Sequence, residues 1–208
     1  MKDRPLAVVV ACVVASLAWV STFAVAYGRG VATPALAVLG VVVTVALHLR
    51  VSELRALWRP RLSSALWGLA VGGALTGATY VLFEPACALL PGLDDEVRGL
   101  YRGALGAPRV VLATVALVVI AEEAIWRGAL LGALRADHGP VAAVVLSAAI
   151  YAAAQAGAGS VVLVMAAFGL GIAWGALALA TGGLFAPLVA HLVWTPIVLV
   201  LVPLVPLE

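Results

Sequence analysis

Long apolar runs separated by short polar breaks dominate the chain. They cover residues 6–27, 32–49, 62–90, 110–134, 141–156, 160–180 and 184–202. A helix needs about 20 apolar residues to cross a hydrocarbon layer roughly 30 Å thick, and most of these runs approach that length. The pattern predicts an all-α, polytopic transmembrane helix bundle of seven spans. The third run is longer than one span needs, and Glu84-Pro85 falls inside it. Proline removes a helix donor and bends or ends a helix. An extra re-entrant piece, or an eighth helix hidden in 62–90, is therefore the alternative. Gly73 and Gly77 in the same run form a small-xxx-small pair suited to close helix packing. The run 6–27 exceeds the apolar region of a cleaved signal and reads as a first span.

The polar breaks set the orientation. Gly28-Arg29-Gly30 is a short turn, and residues 50–61 carry Arg50, Arg55, Arg59 and Arg61 against Glu53. That basic loop is expected in the cytoplasm, with Lys2 and Arg4 on the same side. Residues 91–108 form the longest polar stretch, with Asp94, Asp95, Glu96, Arg98 and Arg102. It reads as a solvated loop, with an amphipathic gate as the alternative.

Composition agrees with the periodicity. The chain has 208 residues, of which 65% are hydrophobic and 11% charged. A soluble domain carries about 25% charged residues, so a membrane protein is indicated. The net charge of +2 is spread over loops, and no basic block points to nucleic acid. Cys12 and Cys87 lie far apart in apolar runs, without metal or redox spacing.

One run breaks the rule. Ile120-Ala121-Glu122-Glu123-Ala124-Ile125-Trp126-Arg127-Gly128 sets two carboxylates and a guanidinium inside an apolar helix. Each charge near a bilayer centre costs roughly 2.5–3.5 kcal/mol on insertion scales, so such residues mark function by default. Glu123 and Arg127 are i,i+4 and can pair on one helical face. Glu122 is turned about 100° away and is free to face a wet cavity. Two later runs carry polar pairs at the same spacing: Tyr151 with Gln155, and His191 with Thr195. Pro187 and Pro196 flank the second pair, so the helix there is expected to bend or break beside water.

Glu-Glu-x-x-x-Arg at 122–127, aromatic-x-x-x-polar at 151–155 and His-x-x-x-Thr at 191–195 occur in order on separate helices. This constellation resembles the CPBP family of CAAX prenyl proteases of the type II class, bacteriocin-processing proteins and Abi proteins. Trp126 and Gly128 around the motif Arg, Phe168-Gly169, Gly175 and Thr181-Gly182-Gly183-Leu184 fit the same resemblance. It covers about residues 117–200, so the chain divides into N-terminal transmembrane helices at 1–107 and a CPBP/Abi-like core at 108–208.

The resemblance implies a metal-free, glutamate-dependent intramembrane endopeptidase in a bacterial inner or plasma membrane. Its substrate would be a membrane-associated protein or peptide. Glu122 would polarise a water together with a residue of the next helix, and the last helix would hold the oxyanion. Glu123, Arg127 and Tyr151 would support the site. The chain departs from the family at two positions. Gln155 stands where the family has His, and Thr195 where it has Asn. Gln155 can hold a water but cannot take its proton, while Thr195 still offers one donor. A zinc site is disfavoured, because Glu122, Glu123 and His191 lack the expected second His. The alternative class is a catalytically impaired member acting as a binding or immunity scaffold. A small transporter using Glu122 as a proton relay is a third reading, weakened by the lack of an inverted repeat.

Overall fold

The computed structural model describes residues 4–26, 31–104 and 108–206. The predicted turn Gly28-Arg29-Gly30 and the basic residue Lys2 lie outside the described residues. Every regular element among those described is helical. They are α1 (Arg4–Ala26), α2 (Ala32–Arg50), the single turn α3 (Leu54–Leu57), α4 (Leu62–Leu89), α5 (Leu93–Ala104), α6 (Pro108–Glu122), α7 (Leu131–Asp137), α8 (Pro140–Gln155), α9 (Val161–Thr181) and α10 (Phe185–Pro196). A π-helical stretch, Glu123–Leu130, joins α6 to α7, another, Ile197–Leu201, extends α10, and a 3-10 turn, Ala156–Ala158, follows α8.

Five helical segments are long and apolar enough to cross a membrane: Leu6–Ala26, Ala32–Arg50, Leu62–Leu89, Pro140–Ala158 and Val161–Thr181. The protein is accordingly a multi-pass membrane protein. The expected count was seven or eight. The run with the buried charges is not among the five, and Phe185–Leu201 is a shorter apolar helix. Both runs that fall outside carry candidate site residues.

The third apolar run is one unbroken helix, so residues 62–90 hide no eighth helix and no re-entrant piece. Pro85 sits inside α4, four residues before its end at Leu89, and the backbone bond it forgoes is the single one to the Val81 carbonyl. The helix is about 42 Å long at 1.5 Å per residue, which exceeds the hydrocarbon thickness.

The small-residue stripe that packs is also not the expected one. Nothing lies within 4 Å of a Cβ built on Gly73 or Gly77. The buried face of α4 is Ser64, Gly68, Gly72 and Thr76, one residue per turn. Gly72 meets the Ala190 backbone of α10, and Gly68 meets Ala186 and Val189. Trp194 Nε1 donates to Thr79 Oγ1 at 2.9 Å along the same seam. Absence of Cβ atoms thus lets α10, which carries His191, lie directly on α4.

Residues 91–108, expected as a solvated loop, contain the amphipathic helix α5. Its buried side holds Val97 and Tyr101, packed with Val205, Phe83 and Leu199. Tyr101 also repairs the end of the bundle. In the π-helical stretch after α10 the Val202 N–H bonds to the Ile197 carbonyl. The next carbonyl, Val198, would need the N–H of residue 203, a proline that has none. Tyr101 donates its hydroxyl to that carbonyl at 2.8 Å and accepts from Leu204 N at 3.0 Å.

The helix at His191 is not broken. Pro187 lies in the first turn of α10, where its missing N–H costs no intrahelical bond. Pro196 marks the change from α to π geometry.

Candidate active site

The charged motif sits where the helix changes type. Glu122 ends α6 and Glu123 opens the π-helical stretch. Single π turns inside α-helices often accompany functional sites, because the extra residue per turn re-aims side chains and loosens carbonyls. Two neighbours attend to those carbonyls. Ser147 Oγ donates to Trp126 O at 2.8 Å, and Cys12 Sγ lies 3.8 Å from Ile125 O. Every residue from Glu123 to Leu130 is buried, so the site lies in the middle of the bundle rather than against lipid.

The two glutamates face different ways. Glu123 is fully buried, with Oε1 3.4 Å from Arg127 Nη1 and 2.8 Å from His191 Nδ1. The contact with Arg127 is an ion pair by distance, yet neither terminal nitrogen of Arg127 forms an aligned hydrogen bond. Aromatic faces hold the guanidinium instead. Its carbon lies 4.4 Å from the Tyr151 ring centroid and 5.1 Å from that of Trp174. Such cation–π contacts gain strength when desolvated.

Glu122 turns toward a cavity of about 140 Å³, which has room for several waters. Gln155 Nε2 donates to Glu122 Oε1 at 3.0 Å, and the Tyr151 hydroxyl donates to Oε2 at 3.1 Å. His191 Nε2 lies 3.6 Å from Oε2. Glu123 fixes the other ring nitrogen, Nδ1, as the donor, so Nε2 is the nitrogen presented to Glu122. Thr195 also lines the cavity, and its buried Oγ1 has no hydrogen-bond partner among the described residues.

The structure therefore brings Glu122, Tyr151, Gln155, His191 and Thr195 to one cavity, with Glu123 and Arg127 buried behind them. α6, α8 and α10 each supply part of the set. One member was not foreseen. Trp174 of α9 stacks on the His191 ring with centroids 3.7 Å apart and planes 20° apart. It covers one face of the imidazole and lines the same cavity. A tryptophan in mid-span, far from the headgroup level that tryptophans favour, was the available signal.

Apart from Thr33, the remaining walls are apolar. Val115, Val118 and Val119 come from α6, Leu163, Ala167 and Leu170 from α9, and Leu100 from α5. A few polar groups thus sit at one end of a greasy chamber, as in sites that position an apolar ligand against a small reactive centre. No trio of His, Cys, Asp or Glu side chains among the described residues is arranged to hold a metal ion.

No curated protein and no solved structure matches the chain. Residues 104–197, which contain Glu122, Glu123, Arg127, Tyr151, Gln155, Trp174, His191 and Thr195, match the family described as Type II CAAX prenyl endopeptidase Rce1-like. This agrees with the resemblance carried by Glu122, Glu123, Arg127 and His191, and identifies the segment as similar to membrane proteases of the CAAX type.

Proposed function

We propose that the protein is a glutamate-dependent intramembrane endopeptidase of a bacterial inner or plasma membrane. It cleaves a membrane-associated peptide or protein, and the chain crosses the bilayer seven times. The observation that carries this reading is the separation of roles between neighbouring carboxylates. Glu122 opens on the cavity beside His191 Nε2, while Glu123 is locked behind it on His191 Nδ1 and Arg127.

The chemistry follows from those positions. A water held against Glu122 gives it a proton and attacks the scissile carbonyl carbon. The carbonyl oxygen becomes an oxyanion, which the Thr195 hydroxyl and His191, carrying a proton on Nε2 as well as on Nδ1, stabilise. Trp174 and Glu123 hold the imidazole so that little reorganisation is needed. The scissile amide then releases its nitrogen with the proton returned. No metal is required by this scheme.

The apolar walls explain how a peptide bond reaches such a place. An aliphatic side chain or lipid-like group of the substrate fills the space between α6 and α9 and carries the adjoining carbonyl to Glu122. The test is peptide cleavage in vesicles by the native protein and by Glu122→Gln. Loss of cleavage in a folded Glu122→Gln protein supports the mechanism, and equal rates remove it.

A further inference from the structure

The Tyr151 hydroxyl has no task in the scheme above, and the motif at 151–155 asks only for an aromatic ring at that position. The ring packs 5.9 Å from Trp126 and supports Arg127 at 4.4 Å. The hydroxyl does something else. It lines the cavity and is bonded to Glu122 Oε2 at 3.1 Å, the oxygen that also lies nearest His191 Nε2. Gln155, where the family carries an imidazole, gives only an amide N–H to the other oxygen at 3.0 Å. That N–H donates but cannot receive and pass on a proton, whereas a phenol both donates and accepts.

We propose that Tyr151 is a catalytic residue of this site, and that its hydroxyl performs the proton transfer that Gln155 cannot. The inference rests on the protease reading. One helical turn separates the two positions on α8, so the task has moved along the helix without leaving Glu122.

The step balances. Water gives one proton to Glu122, its oxygen bonds to the carbonyl carbon, and the carbonyl π pair moves to oxygen. When the intermediate collapses, that pair re-forms the carbonyl and the C–N bond breaks with its electrons on nitrogen. The hydroxyl of Tyr151 gives its proton to that nitrogen and takes the proton from Glu122. Tyr151 and Glu122 end as they began, and the products are an acid and an amine. Water supplies every added atom.

Tyr151→Phe isolates the hydroxyl, because it keeps the ring against Arg127 and Trp126. The measurement uses vesicles of phosphatidylethanolamine and phosphatidylglycerol. The probe is a pool of quenched fluorescent peptides ending in Cys-a-a-X, with and without a farnesyl group. Tyr151→Phe is expected to lower kcat about 100-fold with KM unchanged, as loss of a general acid does. In a Gln155→His background the same change is expected to cost less than about threefold, since the imidazole resumes the transfer. A merely structural role would give equal losses in both backgrounds, and that result overturns the inference. Should Tyr151→Phe fail to fold, a proton inventory of the native protein in mixed H2O and D2O decides. A curved plot shows two protons in flight, and a linear one overturns the relay. Cleavage that needs Glu122 but ignores Tyr151 defeats this inference alone. Cleavage unchanged in Glu122→Gln, or no cleavage by either native protein or Gln155→His, defeats the protease reading with it.

Discussion

The position of His191 depends on a glycine that touches no substrate. A Cβ on Gly72 would lie 2.8 Å from Ala190 O, 2.9 Å from Ala190 Cα and 3.0 Å from Val193 Cβ. Two of these neighbours are backbone atoms and cannot rotate away. Carbon atoms rest at about 3.5–4.0 Å, so Gly72→Ala must push α10 outward by roughly 0.5–1 Å. Ala190 immediately precedes His191, so the imidazole moves with it. Its 2.8 Å bond to Glu123 would stretch past the hydrogen-bond range. Overpacking of this kind costs about 1–3 kcal/mol, and a 1 Å misplacement can cost about 100-fold in rate. Gly72→Ala is therefore expected to lower the thermal midpoint and to reduce cleavage about 10- to 100-fold. Gly73→Ala, with nothing within 4 Å, is the matched control and should leave both unchanged. The assays are thermal unfolding in detergent and peptide cleavage in vesicles. A silent Gly72→Ala, or equal damage from Gly73→Ala, would refute the reasoning.

Other outcomes follow from the same geometry. Arg127→Ala leaves Glu123 buried without a guanidinium and removes the cation on Tyr151 and Trp174. It should destabilise the bundle by about 3–5 kcal/mol, read as loss of folded protein in detergent melts. Thr195→Asn restores a firmer oxyanion donor. Since one such donor is worth about 2.7–4 kcal/mol, kcat should rise, and an unchanged kcat would place Thr195 outside the reaction. Glu96 of α5 accepts from Ser160 Oγ at 2.6 Å and from Val162 N at 2.9 Å, and the Ser160 bond first, then Val162, holds its carboxyl below the usual glutamate range. A depressed folded-state value means that this link stabilises the docking of α5 fully above the unfolded value of about 4.3. The link is lost as pH falls through the lower folded value. Hydrogen exchange of α5 amides should therefore quicken only below about pH 4, and Glu96→Gln should show the quickened exchange already at neutral pH.

Much of the site was readable because charge is rare in this chain. Glu122 and Glu123 stood out in an apolar run, and the helical repeat alone assigned Glu123 to Arg127 and left Glu122 free. The spacings 151–155 and 191–195 named the other walls. Packing was harder to read. Gly68, Gly72, Gly73 and Gly77 look alike in a chain where lipid-facing and core-facing positions are equally apolar, so no amphipathic signal separates the buried pair from the exposed one. Trp174 carries no polar motif and was passed over. The helix α5 left a usable signal, since Leu93, Val97, Leu100 and Tyr101 recur at helical spacing, but the acidic residues around them suggested a solvated loop. The π geometry of Glu123–Leu130 has no sequence signature in this chain, and Ser147, which holds the Trp126 carbonyl, looked like an ordinary small residue.

Two isosteric substitutions, made side by side, probe the assignment of the base. Glu122→Gln and Glu123→Gln each remove one negative charge and keep the side-chain volume. Thermal unfolding and vesicle cleavage should be recorded for both. Glu122→Gln should melt near the native midpoint and lose at least about 100-fold in kcat, because it removes the proton acceptor in the cavity. Glu123→Gln should melt well below it, because Arg127 and His191 lose their shared anion. Full cleavage by Glu122→Gln, or the reverse pattern with Glu123→Gln stable and inert, would contradict the account.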